Sequence, residues 1–194
     1  RGALPPAQSE HHPSITEPLK IGELLRAIDG YDGSFVVRAA LRLAPLVFVR
    51  PVELRAAEWS EFDLDKAEWR IAAERMKMRV EHRVPLSRQA LDVLRSMEPL
   101  SGDRVLVFPS PFYPSKPLSE NTFNSALARM GYKNTATAHG FRALFSTVAN
   151  ECGWNPDVIE RQLAHKERNK VRAAYHRSTY LQEREKLMQW WADY

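Results

Sequence analysis

The stretch VRPVELRAAEWSEFDLDKAEWRIAAERMKMRVEHRVPL, residues 49–86, changes its hydrophobic period partway along, and that change decides the fold class. Its opening, Arg50 followed by PVELRAA, reads as a short helix with Arg50 at its mouth, because proline is favoured at a helix's first position, where its missing N–H is not needed. From residue 58 the pattern is that of strands. EWSEFDL, then EWRIAAE after the turn-forming Asp65-Lys66, then MKMRVEHRVPL predict a three-stranded antiparallel meander. Lys77 falls where the second strand hands over to the third. Helical spacing resumes on both sides, so the chain is predicted to be α+β, mainly helical, with a small three-stranded antiparallel sheet.

Working outward, Leu19 to about Ile28 reads as a helix stopped by Gly30. The next helix, Ser34 to Val49, is apolar on nearly all sides and should be buried, kinked or shortened at Pro45. Ser87 caps a helix in SRQALDVLRSM. VLVFPS is a short extended run, SPFYPSKPLS a loop, and Ser119 with Thr122 opens a helix to about Met130. In HGFRALFSTVANECG, Phe141, Leu144, Phe145 and Val148 follow i, i+3, i+4, i+7 and form one buried stripe, which Gly153 ends. His139 and Arg142, three apart, are neighbours off that stripe. Asn155 and Pro156 open a helix through NPDVIERQLAH, and after the polar break KERN a further helix carries Tyr175. At the end, LMQWWADY aligns Leu187, Trp190, Trp191 and Tyr194, a core stripe by default and a docking face for a second protomer as the sharper reading.

A chain of 194 residues can bury one substantial core. Its 44% hydrophobic and 27% charged residues are those of a globular domain, and no apolar run approaches the roughly 20 residues of a membrane span. The net charge of +4 is compatible with a nucleic-acid partner without requiring one. Basic residues concentrate in 161–177, where Arg161, Lys166, Arg168, Lys170, Arg172 and Arg177 face a single acid, Glu167. Cys152 stands alone, which excludes an internal disulfide and a thiolate metal cluster and fits a reducing, cytoplasmic setting. Residues 1–18, Pro-rich and polar, read as a linker, with His11 and His12 an exposed pair. Arg1 without a preceding Met is expected to mark a piece of a longer protein or a processed chain.

Four separated segments carry compatible chemistry: Arg50 in VRPVEL, His139 and Arg142 in HGFR, His165 in LAHK, and Tyr175 in RAAYHR. Arginine presents a planar fork of donors matched to phosphate oxygens. Histidine moves or donates a proton near neutral pH, and a tyrosine hydroxyl can carry a phosphate covalently. The sequence has no GxxxxGK[ST] loop, HExxH, EF-hand pattern or GxSxG elbow, and the candidate segments are poor in the clustered carboxylates of a two-metal nuclease. Metal-free phosphoryl transfer to a protein nucleophile remains, with two arginines stabilising the charge that spreads over the phosphate oxygens. A tyrosine, with a pKa of about 10 in water, needs an acceptor for its proton, and a lysine on a hairpin can reach the leaving oxygen.

At these residues the chain resembles the tyrosine recombinases, specifically the phage-type integrases of prophages and genomic islands. The family pattern is an arginine in R-P-x-E-L, a hairpin lysine, an H-x-x-R helix, a later His or Trp, and a tyrosine about ten residues on. Arg50 with Pro51, Glu53 and Leu54, Lys77, His139 with Arg142, His165 and Tyr175 match in order, and His165 precedes Tyr175 by 175 − 165 = 10 positions. The resemblance runs from about Ile15 to the end and implies the tyrosine-recombinase catalytic-domain fold over residues 19–194, with 1–18 arriving from an upstream DNA-binding region. It implies that Tyr175 attacks the scissile phosphate to form a 3′-phosphotyrosyl link, that Arg50 and Arg142 hold the phosphate, and that Lys77 protonates the leaving oxygen. His139 would assist proton transfer from Tyr175, and His165 would donate to a phosphate oxygen. Neither cofactor nor metal is implied. The implied partners are double-stranded DNA attachment sites, further protomers in a tetramer on DNA through the C-terminal helix, and accessory DNA-bending or excisionase proteins. The setting would be cytoplasmic and nucleoid-associated, in a bacterium or encoded by a phage.

Each residue also has a plainer reading. Arg50 can serve as a salt-bridge partner of Glu53, which is itself read as orienting Arg50. His139 and Arg142 can form an exposed helix face, the basic block a solvated one, and Cys152 a small buried side chain. Lys66, Arg75 and Arg79 compete with Lys77, and Tyr180 competes with Tyr175, although the ten-residue spacing and the small neighbours Ala173 and Ala174 favour Tyr175. At the level of function, a type IB topoisomerase-like relaxase and a catalytically silent DNA-binding module of the same fold are the alternatives.

Overall fold

Helix α2 (Phe35–Val47) is the axis of the fold because its sequence leaves it almost no polar face. The structure, a computed structural model, describes residues 15, 17–165 and 179–194; Tyr175, Lys166, Arg168, Lys170, Arg172 and Arg177 lie outside the described residues. Around α2 pack α1 (Pro18–Asp29), α3 (Pro51–Arg55), α4 (Arg88–Ser101), α5 (Thr122–Leu127), α6 (Gly140–Glu151) and α8 (Leu181–Asp193), while α7 (Pro156–Gln162) bridges α6 and α8. Val37, Ala40, Leu41, Leu43 and Val47 fill the centre. Among the described residues, no helix is long and apolar enough to cross a membrane.

Pro45 shortens α2 rather than kinking it. It lies in the last turn, where its missing N–H and the bulk of its ring disturb few backbone bonds. Phe48 then takes a left-handed conformation (φ 55°) and turns the chain toward Arg50, its ring stacked on Phe145 at 4.0 Å and edge-on to Trp191 at 5.3 Å. The carbonyls left over at this helix end find side-chain donors. Trp191 Nε1 donates to Pro45 at 2.7 Å, Gln162 Nε2 to Val47 at 3.2 Å, and Arg142 Nη1 to Phe48.

The sheet has the predicted order and direction, with shorter strands: β1 (Phe62–Asp63), β2 (Glu68–Ile71) and β3 (His82–Pro85), all antiparallel. Trp69 pairs with Val84 and Ile71 with His82, and these four side chains face inward. Trp59–Glu61 forms a 3₁₀ turn instead of the first half of a strand. The run MKMRV is not a strand either. A 3₁₀ turn at Ala73–Arg75 and a left-handed Arg79 (φ 53°) carry the chain off the ladder until His82. VLVFPS makes only single bridges, Glu58 with Leu106 and Pro109 with Pro117, because proline lacks a ladder donor.

The helix predicted to reach about Met130 does so: α5 ends at Leu127 and widens into a π-helical turn, Ala128–Tyr132, whose helical backbone breaks at Gly131 (φ 91°). The stripe Phe141, Leu144, Phe145, Val148 is buried as the spacing required. Gly153 (φ 79°) ends that helix with Gly153 N–H bonded to Asn150 and Trp154 N–H to Ala149. Cys152, expected to be buried, is exposed, because it occupies the turn before Gly153, beyond the end of the apolar stripe. On α8, Leu187 and Trp191 are core, Trp190 is half-buried against Trp154, and Tyr194 is exposed.

Candidate active site

The site grows from the end of α7. Asn155 caps this helix through its side chain to Asp157 N–H at 3.0 Å. At the other end Ala164 takes a left-handed conformation (φ 49°), with Ala164 N–H bonded to Arg161 and His165 N–H to Glu160. The helix therefore stops at Gln162, before the predicted His165, and three successive carbonyls take side-chain donors instead of helix partners. Gln162 accepts from His82 Nε2 at 3.1 Å, Leu163 from Arg142 Nη2 at 2.6 Å, and Ala164 from Arg50 Nη2 at 3.5 Å. Residues from β3, α6 and the mouth of α3 thus meet at one turn.

Arg50 stands at the N-cap of α3, and Glu53, 2% exposed, holds it twice: at 2.7 Å through the Arg50 backbone N–H and at 2.8 Å through Nη1. The salt bridge of the plainer reading exists, and it fixes the guanidinium against the α7 turn. Arg142 is 5% exposed, so the exposed-face reading fails for it. Its Nη atoms grip the carbonyls of Phe48 and Leu163, whereas its buried Nε has no acceptor among the described residues. Burial first, and the charge of Arg50 second, push the Arg142 pKa down to about 10. Two cations are thus held close together, one of them with a buried donor to spare. The paired positive charge suits an anion with several oxygens, such as a phosphodiester.

His165 follows directly, half-solvated, with Nδ1 2.9 Å from a Glu160 carboxylate oxygen. His139 is exposed at the N-cap of α6 rather than inside the helix. Lys77 is exposed on the connection between β2 and β3, beside Met76, which plugs into the core at 3% exposure. The three rivals of Lys77 are engaged elsewhere. Lys66 pairs with Asp63 at 2.6 Å, Arg79 donates to the Glu74 carbonyl at 2.9 Å, and Arg75 pairs with Glu61 while donating to the carbonyls of Ala56 at 2.5 Å and Glu53 at 3.3 Å. Arg75 thereby ties the Lys77 connection to the helix that begins at Arg50. Tyr180 is half-buried at the N-cap of α8 and packs against the core. Arg161 is partly exposed on the last turn of α7.

Sequence reasoning passed over His82, Gln162 and Arg184, all buried polar residues behind this turn. Each left a signal. Arg184 lies i, i+3, i+4, i+7 from Leu187, Met188 and Trp191, so it extends their apolar stripe. Gln162 shares a face with the buried Val158 and Ile159, and His82 alternates with Val84 on the inner face of β3. Polar side chains on apolar faces mark buried networks.

Residues 16–182 match the pattern of the Phage integrase family. The integrase of Enterobacteria phage P4 is 46% identical over an alignment of 209 positions that covers the whole chain and 47% of the relative. The chain spans about half the length of the curated relatives it matches. Among solved structures, the integrase from mycobacterium phage Brujita superposes with a TM-score of 0.69 at 19% identity, covering 95% of this chain and 60% of that one. The Tn1549 transposon integrase in complex with circular intermediate DNA gives 0.63 at 14% identity, covering 88% and 62%.

Proposed function

This chain belongs to the phage integrase family, and we propose that it is the catalytic part of a site-specific recombinase that cuts DNA and rejoins it through a 3′-phosphotyrosyl bond. The observation that carries the reading is the meeting of Arg50 and Arg142 at the α7 turn, immediately before His165. Three segments matched one by one in sequence converge in space, on an arrangement suited to a phosphate.

In the proposed reaction the Tyr175 hydroxyl oxygen bonds to phosphorus as the bond from phosphorus to the 5′ oxygen breaks. His139 assists removal of the tyrosine proton, and Lys77 supplies one to the leaving oxygen. Arg50 and Arg142 hold the non-bridging oxygens, and His165 donates to one of them. The phosphotyrosine retains the bond energy, so a 5′ hydroxyl of another strand can reverse the step. Catalysis is assigned to residues 19–194. The basic residues Arg161, Lys166, Arg168, Lys170, Arg172 and Arg177 are proposed to lie along the DNA backbone, and the DNA in the Tn1549 integrase complex supports the same partner for this chain. A tetramer on paired attachment sites, joined through α8 and assisted by accessory DNA-bending or excisionase proteins, completes the proposal.

The test is a nicked suicide substrate carrying the attachment site, incubated with the full-length protein. The native protein should trap covalently, and Tyr175→Phe should bind DNA without trapping. An adduct that persists in Tyr175→Phe moves the nucleophile elsewhere, first to Tyr180.

A further inference from the structure

Gln162 is fully buried, and its amide and backbone carbonyl all have partners. Its amide Nε2 donates to Val47 at 3.2 Å, its amide oxygen accepts from Arg184 Nε at 2.9 Å, and its backbone carbonyl accepts from His82 Nε2 at 3.1 Å. Arg184 in turn donates to the Arg83 carbonyl, so α8, β3 and the end of α2 all bear on one residue of α7. The next residue along each backbone holds Arg142: Phe48 follows Val47, Leu163 follows Gln162, and Arg142 donates to the carbonyls of both. Two rungs therefore join the end of α2 to the end of α7, one the Gln162 amide and the other the Arg142 guanidinium. One residue further on, Ala164 takes the Arg50 donor.

An apolar side chain of similar size would fill this space without desolvating an amide, an imidazole and a guanidinium. What the hydrogen bonds add is a fixed separation between two backbone ends. A fully satisfied buried network rigidifies what it touches.

We propose that Gln162 is a positioning residue for strand cleavage: with His82 and Arg184 holding its carbonyls, it clamps α2 to α7 and so sets the spacing of the Arg50 and Arg142 guanidiniums. The inference rests on the cleavage reading above. Because a carbonyl only accepts, the His82 ring carries a proton on Nε2. A glutamine amide reaches where Nε2 stands, and an asparagine amide falls one methylene short.

The experiment uses the full-length protein and a nicked suicide duplex, with single-turnover cleavage measured across DNA concentrations beside the unfolding midpoint. In His82→Asn and Gln162→Glu, which keeps the Arg184 contact and loses the donor to Val47, the maximal cleavage rate should fall about 10- to 100-fold while half-saturation moves less than about threefold. His82→Gln should cleave like the native protein. Equal rates in His82→Asn and His82→Gln would overturn the proposal, as would a loss confined to half-saturation. If His82→Asn does not fold at the assay temperature, Gln162→Glu against His82→Gln decides by the same readout. Failure of the native protein to trap DNA at all refutes the cleavage reading instead.

Discussion

Acid probes the buried network through His82. His82 is 6% exposed, and burial, followed by the charge of Arg184, holds its pKa down to about 3 against an ordinary 6.5. The cations Arg184, Arg142 and Arg50 all oppose a proton there, and only the Gln162 carbonyl favours it. In the unfolded chain the imidazole takes its proton near pH 6.5, and in the folded chain not until about pH 3. Between those values the unfolded state binds more protons, so this group lowers stability as the pH falls from 6.5 toward 3, and its slope fades away above 6.5. The slope approaches about 1.4 kcal/mol per pH unit, which makes the loss at pH 5 about 2 kcal/mol. Urea unfolding followed by tryptophan fluorescence at pH 7, 6 and 5, on the native protein and His82→Gln, isolates the term because glutamine has no proton to gain. The native protein should lose about 2 kcal/mol more than His82→Gln between pH 7 and pH 5. Parallel curves for the two proteins would refute the picture of a buried neutral His82.

Glu53→Ala leaves the Arg50 backbone N–H and guanidinium without their acceptor; it should cost about 3 kcal/mol in urea unfolding and slow cleavage more than it weakens DNA binding. Gly153→Ala meets no atom within 4 Å of its new Cβ, so its penalty is purely that of φ 79°, about 1 kcal/mol in the same assay. Cys152 should react with one equivalent of a thiol reagent in the folded protein at a rate close to that of the denatured chain; strong protection would contradict its placement in an exposed turn.

The order of elements was legible because strong local signals lay where tertiary packing agreed with them. Pro51 opened α3, Gly153 ended α6, and the four-residue stripe of α6 is the buried face. Strand ends were not legible. Arg75 binds the carbonyls of Ala56 and Glu53, and no local pattern announces a contact made about twenty positions away. Arg50, Arg142 and His165 were singled out by residue type and spacing, and the structure brings all three to the turn after α7. What holds them was not legible, because the row of carbonyls from Gln162 to Ala164 is backbone, which sequence motifs do not mark. Arg184 was within reach: tracing the stripe of Leu187 and Trp191 one turn back lands on a charged residue that must be buried.

The most direct measurement identifies the residue that carries the DNA. After trapping on a suicide substrate and digestion with a nuclease and trypsin, mass spectrometry should find the nucleotide remnant on the peptide Ala173-Ala174-Tyr175-His176-Arg177. A remnant on Ser178-Thr179-Tyr180-Leu181-Gln182-Glu183-Arg184, or on no tyrosine peptide, would contradict the assignment of Tyr175 as the nucleophile served by the Arg50 and Arg142 pair.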